Sequence, residues 1–198
     1  MGATATAELD AIDIHSIDRY EREGYLFPYE VMSAADTADA RRRIEAFERR
    51  LGGPLPKELR PRPHLYSSTI DTIVRSPRIL DRVESLLGPD ILCWESVLFI
   101  KESKDPAFIS WHQDAAYWGL EPYDVLTAWV ALSPATKASG CMSVMTGSHI
   151  GELSPHRDTF GKDNMLSRGQ EMEVAVDPAR CVDMPLKPGQ MSLHHVKI

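Results

Sequence analysis

The chain has 198 residues, enough for one domain with a sizeable core, and its 43% hydrophobic and 26% charged content is ordinary for a globular protein. A net charge of −7 argues against nucleic acid as a partner, and no apolar run is long enough to cross a bilayer. Three widely spaced cysteines, Cys93, Cys141 and Cys181, fit neither a disulfide framework nor a zinc pattern and suit a reducing compartment, so the expected location is cytoplasmic.

Met1–Ala5 lacks the basic region and apolar stretch of a signal peptide. Met1-Gly2 with Thr6 matches the short myristoylation pattern, but no polybasic patch follows, and the match is read as coincidence. Ser33 caps a helix that runs to about Leu51, with Gly52 as its stop. Gly53 to Pro63 is a proline-rich loop. Ser76-Pro77 opens a second helix that ends at Gly88-Pro89 and carries the apolar stripe Ile79, Leu80, Val83, Leu86 and Leu87. Strands are expected over Ile91 to Lys101, Ile109 to Asp114, Val125 to Leu132, Cys141 to Met145, Glu171 to Val176 and Met191 to Ile198. Turn signals separate them at Lys104-Asp105-Pro106, Ser139-Gly140 and Lys187-Pro188-Gly189. Helices first and strands later describe an α+β chain with helices outside a double-sheet barrel. Gly151 to Gln170, with His156 and Arg168, reads as a long loop that either covers a site as a lid or is simply solvated.

The most informative stretch is Trp111-His112-Gln113-Asp114. On a strand His112 and Asp114 point to one face. An imidazole and a carboxylate are a ligand mix that suits ferrous iron, and with one distant histidine they make the facial triad of non-heme iron oxygenases. By itself His-x-Asp is a common chance pairing.

Its surroundings are more specific. Trp-His-Gln-Asp at 111–114, Thr-Ala-Trp-Val-Ala-Leu at 127–132, Gly140-Cys141-Met142 with Gly147-Ser148-His149, Leu166 to Gln170, and Pro188-Gly189-Gln190-Met191-Ser192-Leu193-His194-His195 together resemble the phytanoyl-CoA dioxygenase family, which includes ectoine hydroxylase-like members. The resemblance spans roughly residues 15–198. It implies a double-stranded β-helix (jelly-roll, cupin-like) core with flanking N-terminal helices, in one domain over 1–198 whose helical part is 1–89 and whose β-core, 90–198, is incomplete. It also implies Fe(II), 2-oxoglutarate and O2, a small-molecule substrate that is hydroxylated, and succinate and CO2 as co-products.

Carried over residue by residue, His112 and Asp114 are the catalytic iron ligands and Gln113 lies near the cosubstrate. Lys101 is either an anchor for a 2-oxoglutarate carboxylate or a solvated strand end. Trp129 either walls the cosubstrate pocket or is a core aromatic. Strand parity puts Glu95 on the face of Lys101, where it either pairs with a cationic substrate group or meets solvent or an arginine. Trp118 either touches substrate or packs in the core. His149 is read as a turn cap, and His15 and His64 have no evident partner.

The family's third iron ligand is a histidine on a late strand, followed by a basic residue that binds 2-oxoglutarate. No His-Gly-Ser and no arginine occur between His195 and Ile198. The favoured expectation is that both lie beyond Ile198. The alternatives are that His194 or His195, on opposite faces of a strand, is the ligand, or that the chain is an inactive β-helix that binds a ligand or a protein. A zinc hydrolase would want more histidines near the pair.

Overall fold

A computed structural model of the chain describes residues 11–198, so the pattern at Met1 to Thr6 lies outside the described residues. Helix α1 (Ile14–Glu23) opens where the Asp13 carboxylate accepts the Ser16 amide, and it closes at Gly24, whose φ of 87° is the left-handed conformation glycine adopts freely. Strand β1 (Tyr25–Glu30) follows directly. Helix α2 (Ala34–Leu51) has Ser33 accepting the Asp36 amide and ends at Gly52 with φ 81°, as its sequence predicts. The proline-rich loop contains two short 3-10 turns, and α3 (Ser68–Val74) and α4 (Pro77–Leu87) come next. Ser76 occupies the cap position of α4 without a side-chain cap bond, and Pro77 at its start supplies the helical φ.

The second half places α5 (Ala115–Trp118), β2 (Leu126–Val130), β3 (Met142–Met145), β4 (His156–Asp158), β5 (Gln170–Met172), β6 (Cys181–Met184) and β7 (Gln190–His195) in that order. Strand β7 is the centre of an antiparallel sheet ordered β1-β7-β2, while β3 pairs with β6 and β4 with β5. In the register Leu26 lies opposite Leu193, and Thr127 opposite His194.

Period-two alternation along β7 gives its two faces different tasks. Met191 and Leu193, both at 0% exposure, pack with Leu26 against Tyr20 of α1 and Ile79 and Val83 of α4. Truncating one such side chain to alanine costs roughly 2–5 kcal/mol. The opposite face carries Ser192 and His194, with Thr127 and Trp129 opposite them on β2. Beside these, Tyr25 packs on Val144 of β3 and Met184 of β6, so the second sheet pair covers part of this face.

Two of the expected strands are absent. Residues 91–101 form no strand: they are held by an isolated bridge from Val97 to Pro61, with the Arg62 amide on the Ser96 carbonyl (2.7 Å) and the Leu98 amide on the Arg60 carbonyl (3.0 Å). Leu92, Trp94, Val97 and Phe99 are exposed there. Nor do residues 109–114 form a strand, because their ladder is reduced to a Phe108–Asn164 bridge and one bond from the Met172 amide to the Trp111 carbonyl. Strand β1 interrupts the part expected to be helical; its register shifts between Leu26 and Tyr29, around the Phe27-Pro28 step. The segment expected as one long loop, 151–170, contains β4, which pairs with β5 and leaves 159–169 as the loop between them. All three cysteines are free thiols, and no helix among the described residues is long and apolar enough to cross a membrane.

Candidate metal centre

His112 and Asp114 meet through a turn. Asp114 has helical angles (φ −55°, ψ −34°) and starts α5, whose Tyr117 and Trp118 amides bond back to its carbonyl. His112 Nε2 then lies 3.3 Å from Asp114 Oδ1. The other ring nitrogen, Nδ1, is 2.8 Å from the Ser110 carbonyl. A carbonyl can only accept, so Nδ1 carries a proton, and Nε2, facing Asp114, is the nitrogen left to bind a cation once any proton it shares with the carboxylate has gone. This is the outer partner that metal-binding histidines commonly have. Ser110 is itself fixed: its hydroxyl donates to the Gln170 carbonyl and accepts from Asn164 Nδ2 at 2.8 Å.

Asp114 is held from the sheet. Thr127 Oγ1 donates to its Oδ2 at 3.3 Å, and His194 Nε2 lies 3.9 Å from the same oxygen. Burial opposes charge on both members of the pair. On His112 the carboxylate of Asp114 outweighs burial and holds the imidazole above its usual pKa. On Asp114 burial is outweighed by His112, His194 and Thr127, which hold the carboxyl below its usual range. The carboxylate is therefore available at neutral pH, and the imidazole is set to exchange a proton for a cation.

Gln113 between them points away into the protein and is buried, at 2% exposure. Its amide oxygen accepts the Ser154 N–H (2.9 Å), its amide nitrogen donates to the Lys197 carbonyl (2.5 Å), and its backbone N–H donates to His156 Nε2 (3.0 Å). His156 Nδ1 in turn donates to the Ser154 carbonyl (2.7 Å). Sequence reading put His156 in a lid or in solvent; it sits under the metal segment instead. The Ala115 amide adds a bond to the Val196 carbonyl (2.9 Å).

The remaining expected residues are distributed as follows. Trp129 is half-buried on β2, two residues from Thr127, and so shares the face that holds Asp114. Trp118 is half-buried at the end of α5, one turn from Asp114. Lys101 is exposed, its Nζ beside Gly140. Of the readings open for Glu95, the arginine bridge is present, with Arg62 Nε at 3.7 Å. Lys101 and Glu95 do not share a face as strand parity predicts, since Glu95 is half-buried and Lys101 exposed on a segment that is not a strand. Arg168 lies over the Tyr117 ring (5.3 Å) and near Asp158 (3.6 Å), and Ser167 bonds the Tyr117 hydroxyl, so the hairpin docks on α5. His149 is no turn cap: it is buried, with Nε2 3.0 Å from the Glu21 carbonyl at the end of α1. His64 has a partner after all, Ser96 Oγ at 2.6 Å.

His194 faces the pair, while His195 turns to the other side, its ring 5.1 Å from His149 and 6.4 Å from Tyr20. Ser110, Thr127 and Ser192 went unnoticed in the sequence as site residues, because nothing local distinguishes them. Among the described residues no group of three or more His, Cys, Asp or Glu side chains is placed to hold a metal ion together. The donor set that fits a cation is the pair itself: one neutral imidazole nitrogen and one ionised carboxylate oxygen, 3.3 Å apart, each with an outer partner.

Residues 20–198 match the family described as Phytanoyl-CoA dioxygenase (PhyH). A probable alpha-ketoglutarate-dependent hypophosphite dioxygenase of Stutzerimonas stutzeri is 33% identical over 137 residues, 68% of this chain and 47% of that protein. An ectoine dioxygenase of Streptomyces coelicolor is 25% identical over 160 residues, 73% of this chain and 52% of that protein. Among solved structures, the apo form of the non-heme monooxygenase ThoJ superposes with a TM-score of 0.79 at 37% identity, over 91% of this chain and 68% of that one. The chain thus spans about half the length of these two curated relatives.

Proposed function

The chain belongs to the phytanoyl-CoA dioxygenase family, and from that premise we propose that it works as an Fe(II)- and 2-oxoglutarate-dependent oxygenase hydroxylating a small metabolite. The observation that carries the reading is the His112–Asp114 pair, with the imidazole tautomer fixed by Ser110. When bound, iron with 2-oxoglutarate and O2 supplies the oxidising chemistry: one oxygen atom goes to the substrate carbon as hydroxyl, the other to succinate, and CO2 leaves.

In this reading His112 and Asp114 are the iron ligands from this segment, and the family's remaining histidine ligand comes from elsewhere. The chain's own contribution is placement and exclusion of water. Ser110 and Thr127 aim the two ligands, and Gln113 fixes the segment between them against Ser154 and Lys197. Trp129 walls the cosubstrate space, Lys101 is the cation for a cosubstrate carboxylate, and Trp118 borders the substrate. In the same reading the β1-β7-β2, β3-β6 and β4-β5 sheets are parts of one incomplete jelly-roll domain, whose N-terminal part up to residue 89 is mainly helical. An inactive binding domain is not favoured, since the relatives named above are oxygenases.

The test is oxygen-dependent turnover of 2-oxoglutarate without added substrate. Succinate should form with Fe(II) and cease when a chelator removes the metal. Succinate formation indifferent to the chelator, or none with Fe(II) freshly supplied, would contradict the reading.

A further inference from the structure

The loop 159–169 between β4 and β5 is exposed at Gly161, Lys162 and Asp163 and again at Ser167 and Arg168, yet Asn164 between them is only 6% exposed. A surface loop draws a polar side chain inward only where its amide finds partners. Asn164 Oδ1 accepts the Leu166 N–H at 3.1 Å, and Asn164 Nδ2 donates to Ser110 Oγ at 2.8 Å. Ser110 has one hydroxyl proton, and the Gln170 carbonyl takes it. The amide is thus fixed from both sides: its nitrogen must donate to Ser110, and its oxygen must face Leu166.

Ser110 is the residue whose carbonyl holds His112 Nδ1, at 2.8 Å. That bond is the same whichever state Nε2 is in. Backbone bonds tie the loop to the same segment: the Phe108 amide donates to the Asp163 carbonyl (2.9 Å), and the Met165 amide to the Phe108 carbonyl (2.8 Å). On the far side of the pair, Ser167 bonds the Tyr117 hydroxyl and Arg168 lies over the Tyr117 ring, in the turn of α5 that Asp114 starts. One loop therefore holds the stretch that carries both ligands at its two ends, before His112 and after Asp114.

We propose that Asn164 is a positioning residue for His112 as an iron ligand, and that through Ser110 it couples metal binding to order in the loop 159–169. The inference rests on the oxygenase reading and adds to it a residue that acts through another. The coupling is reciprocal. Holding Ser110 in place favours the cation, and a cation that fixes the His112 ring favours the closed loop. Asn164→Asp separates this from simple packing. It keeps the shape and the acceptor for Leu166, but the ionised oxygen in place of Nδ2 has no proton to give. Ser110 must then turn its own proton to that oxygen and leave the Gln170 carbonyl, or two oxygens face each other unbonded.

The experiment uses the whole chain without oxygen, with Co(II) as the probe and N164A, N164D, S110A, S110T and the double variant N164A/S110A beside the unmodified protein. Calorimetry gives cobalt affinity, and hydrogen exchange read by mass spectrometry gives amide opening over 159–169 with and without saturating cobalt. Loss of an outer partner weakens metal binding by about 10–100-fold, and Asn164 acts one bond further out, so the cobalt dissociation constant should rise about tenfold in N164A and N164D. S110T, which keeps the hydroxyl, should bind like the unmodified protein. Both single changes cut one link, so N164A added to S110A should cost nothing further. Saturating cobalt should slow loop exchange about fivefold or more in the unmodified protein and S110T, and should not slow it in N164D.

N164A and N164D that bind cobalt like the unmodified protein overturn the inference. So do losses that multiply in the double variant, and so does loop exchange in N164D that still slows with cobalt, since a merely structural asparagine would leave that slowing intact. Circular dichroism confirms the fold, and N164D and S110A carry the test should N164A unfold. An unmodified protein that binds no cobalt would overturn the oxygenase reading itself, and this inference with it.

Discussion

Gln113 Nε2 lies 2.5 Å from the carbonyl of Lys197, 84 residues further along the chain. The same amide accepts from Ser154 N on its other side, so one buried side chain joins the metal segment, the approach to β4 and the end of β7. Replacing Gln113 by Leu leaves a buried N–H and a buried carbonyl without partners, at about 1–3 kcal/mol each. The expected outcome is a loss of roughly 2–6 kcal/mol, read as a lower urea midpoint at unchanged slope. An unchanged midpoint would mean that the clamp contributes nothing.

Thr127 tests the outer partners of the pair. Thr127→Val keeps the shape and removes the hydroxyl that donates to Asp114 Oδ2. Loss of such a partner weakens metal binding by about 10–100-fold. Calorimetry with Co(II) should find a fall in that range while the thermal midpoint changes little.

Gly189 connects β7 to the start of α2. Its φ is +86°, and a side chain there would meet the Met32 carbonyl oxygen at 2.6 Å and Thr37 Oγ1 at 2.8 Å. Its own carbonyl accepts both the Val31 and Met32 amides. Gly189→Ala therefore combines left-handed backbone strain with a clash on backbone, and a destabilisation of about 1–3 kcal/mol is expected in chemical denaturation.

Acid sensitivity should come from the imidazoles behind the sheet. Burial, with His149 and Lys197 nearby and Asp124 opposing, lowers the His195 pKa from 6.5 to about 4. Burial also lowers that of His149, which Lys197 assists and the Glu21 carbonyl opposes. Between pH 4 and 6.5 the unfolded chain then binds more protons than the folded one, so stability is full above pH 6.5 and falls as the pH drops toward 4. His195→Phe should flatten that slope in urea midpoints taken at pH 7.5, 6 and 5. An identical slope in the variant would assign the acid loss to other groups.

Helices α2 and α4 were readable because Ser33, Gly52, Pro77 and Gly88 are local signals, and β2 because its apolar run is bounded by turns. The meeting of His112 and Asp114 was readable for a reason that proved only partly right: the two side chains do come together, but through the αR angle of Asp114 and not through strand alternation. Strand β1 was missed because it lies between two helices and contains Pro28, and β4 because His-Arg-Asp carries no apolar alternation. What holds the site was beyond local reading. Thr127, Ser154, His156 and Lys197 reach residues 113 and 114 over separations of 13, 41, 43 and 84 residues, and only the folded sheet brings them there.

The central claim is that His112 and Asp114 grip iron while 2-oxoglutarate joins it. The most direct measurement is the visible charge-transfer band of the Fe(II)–2-oxoglutarate chelate, recorded without oxygen in the unmodified protein, His112→Ala and Asp114→Ala. The band should form in the first, and iron affinity should fall in both variants by more than about 100-fold, beyond what loss of an outer partner produces. A band of equal strength and affinity in either variant would contradict the account.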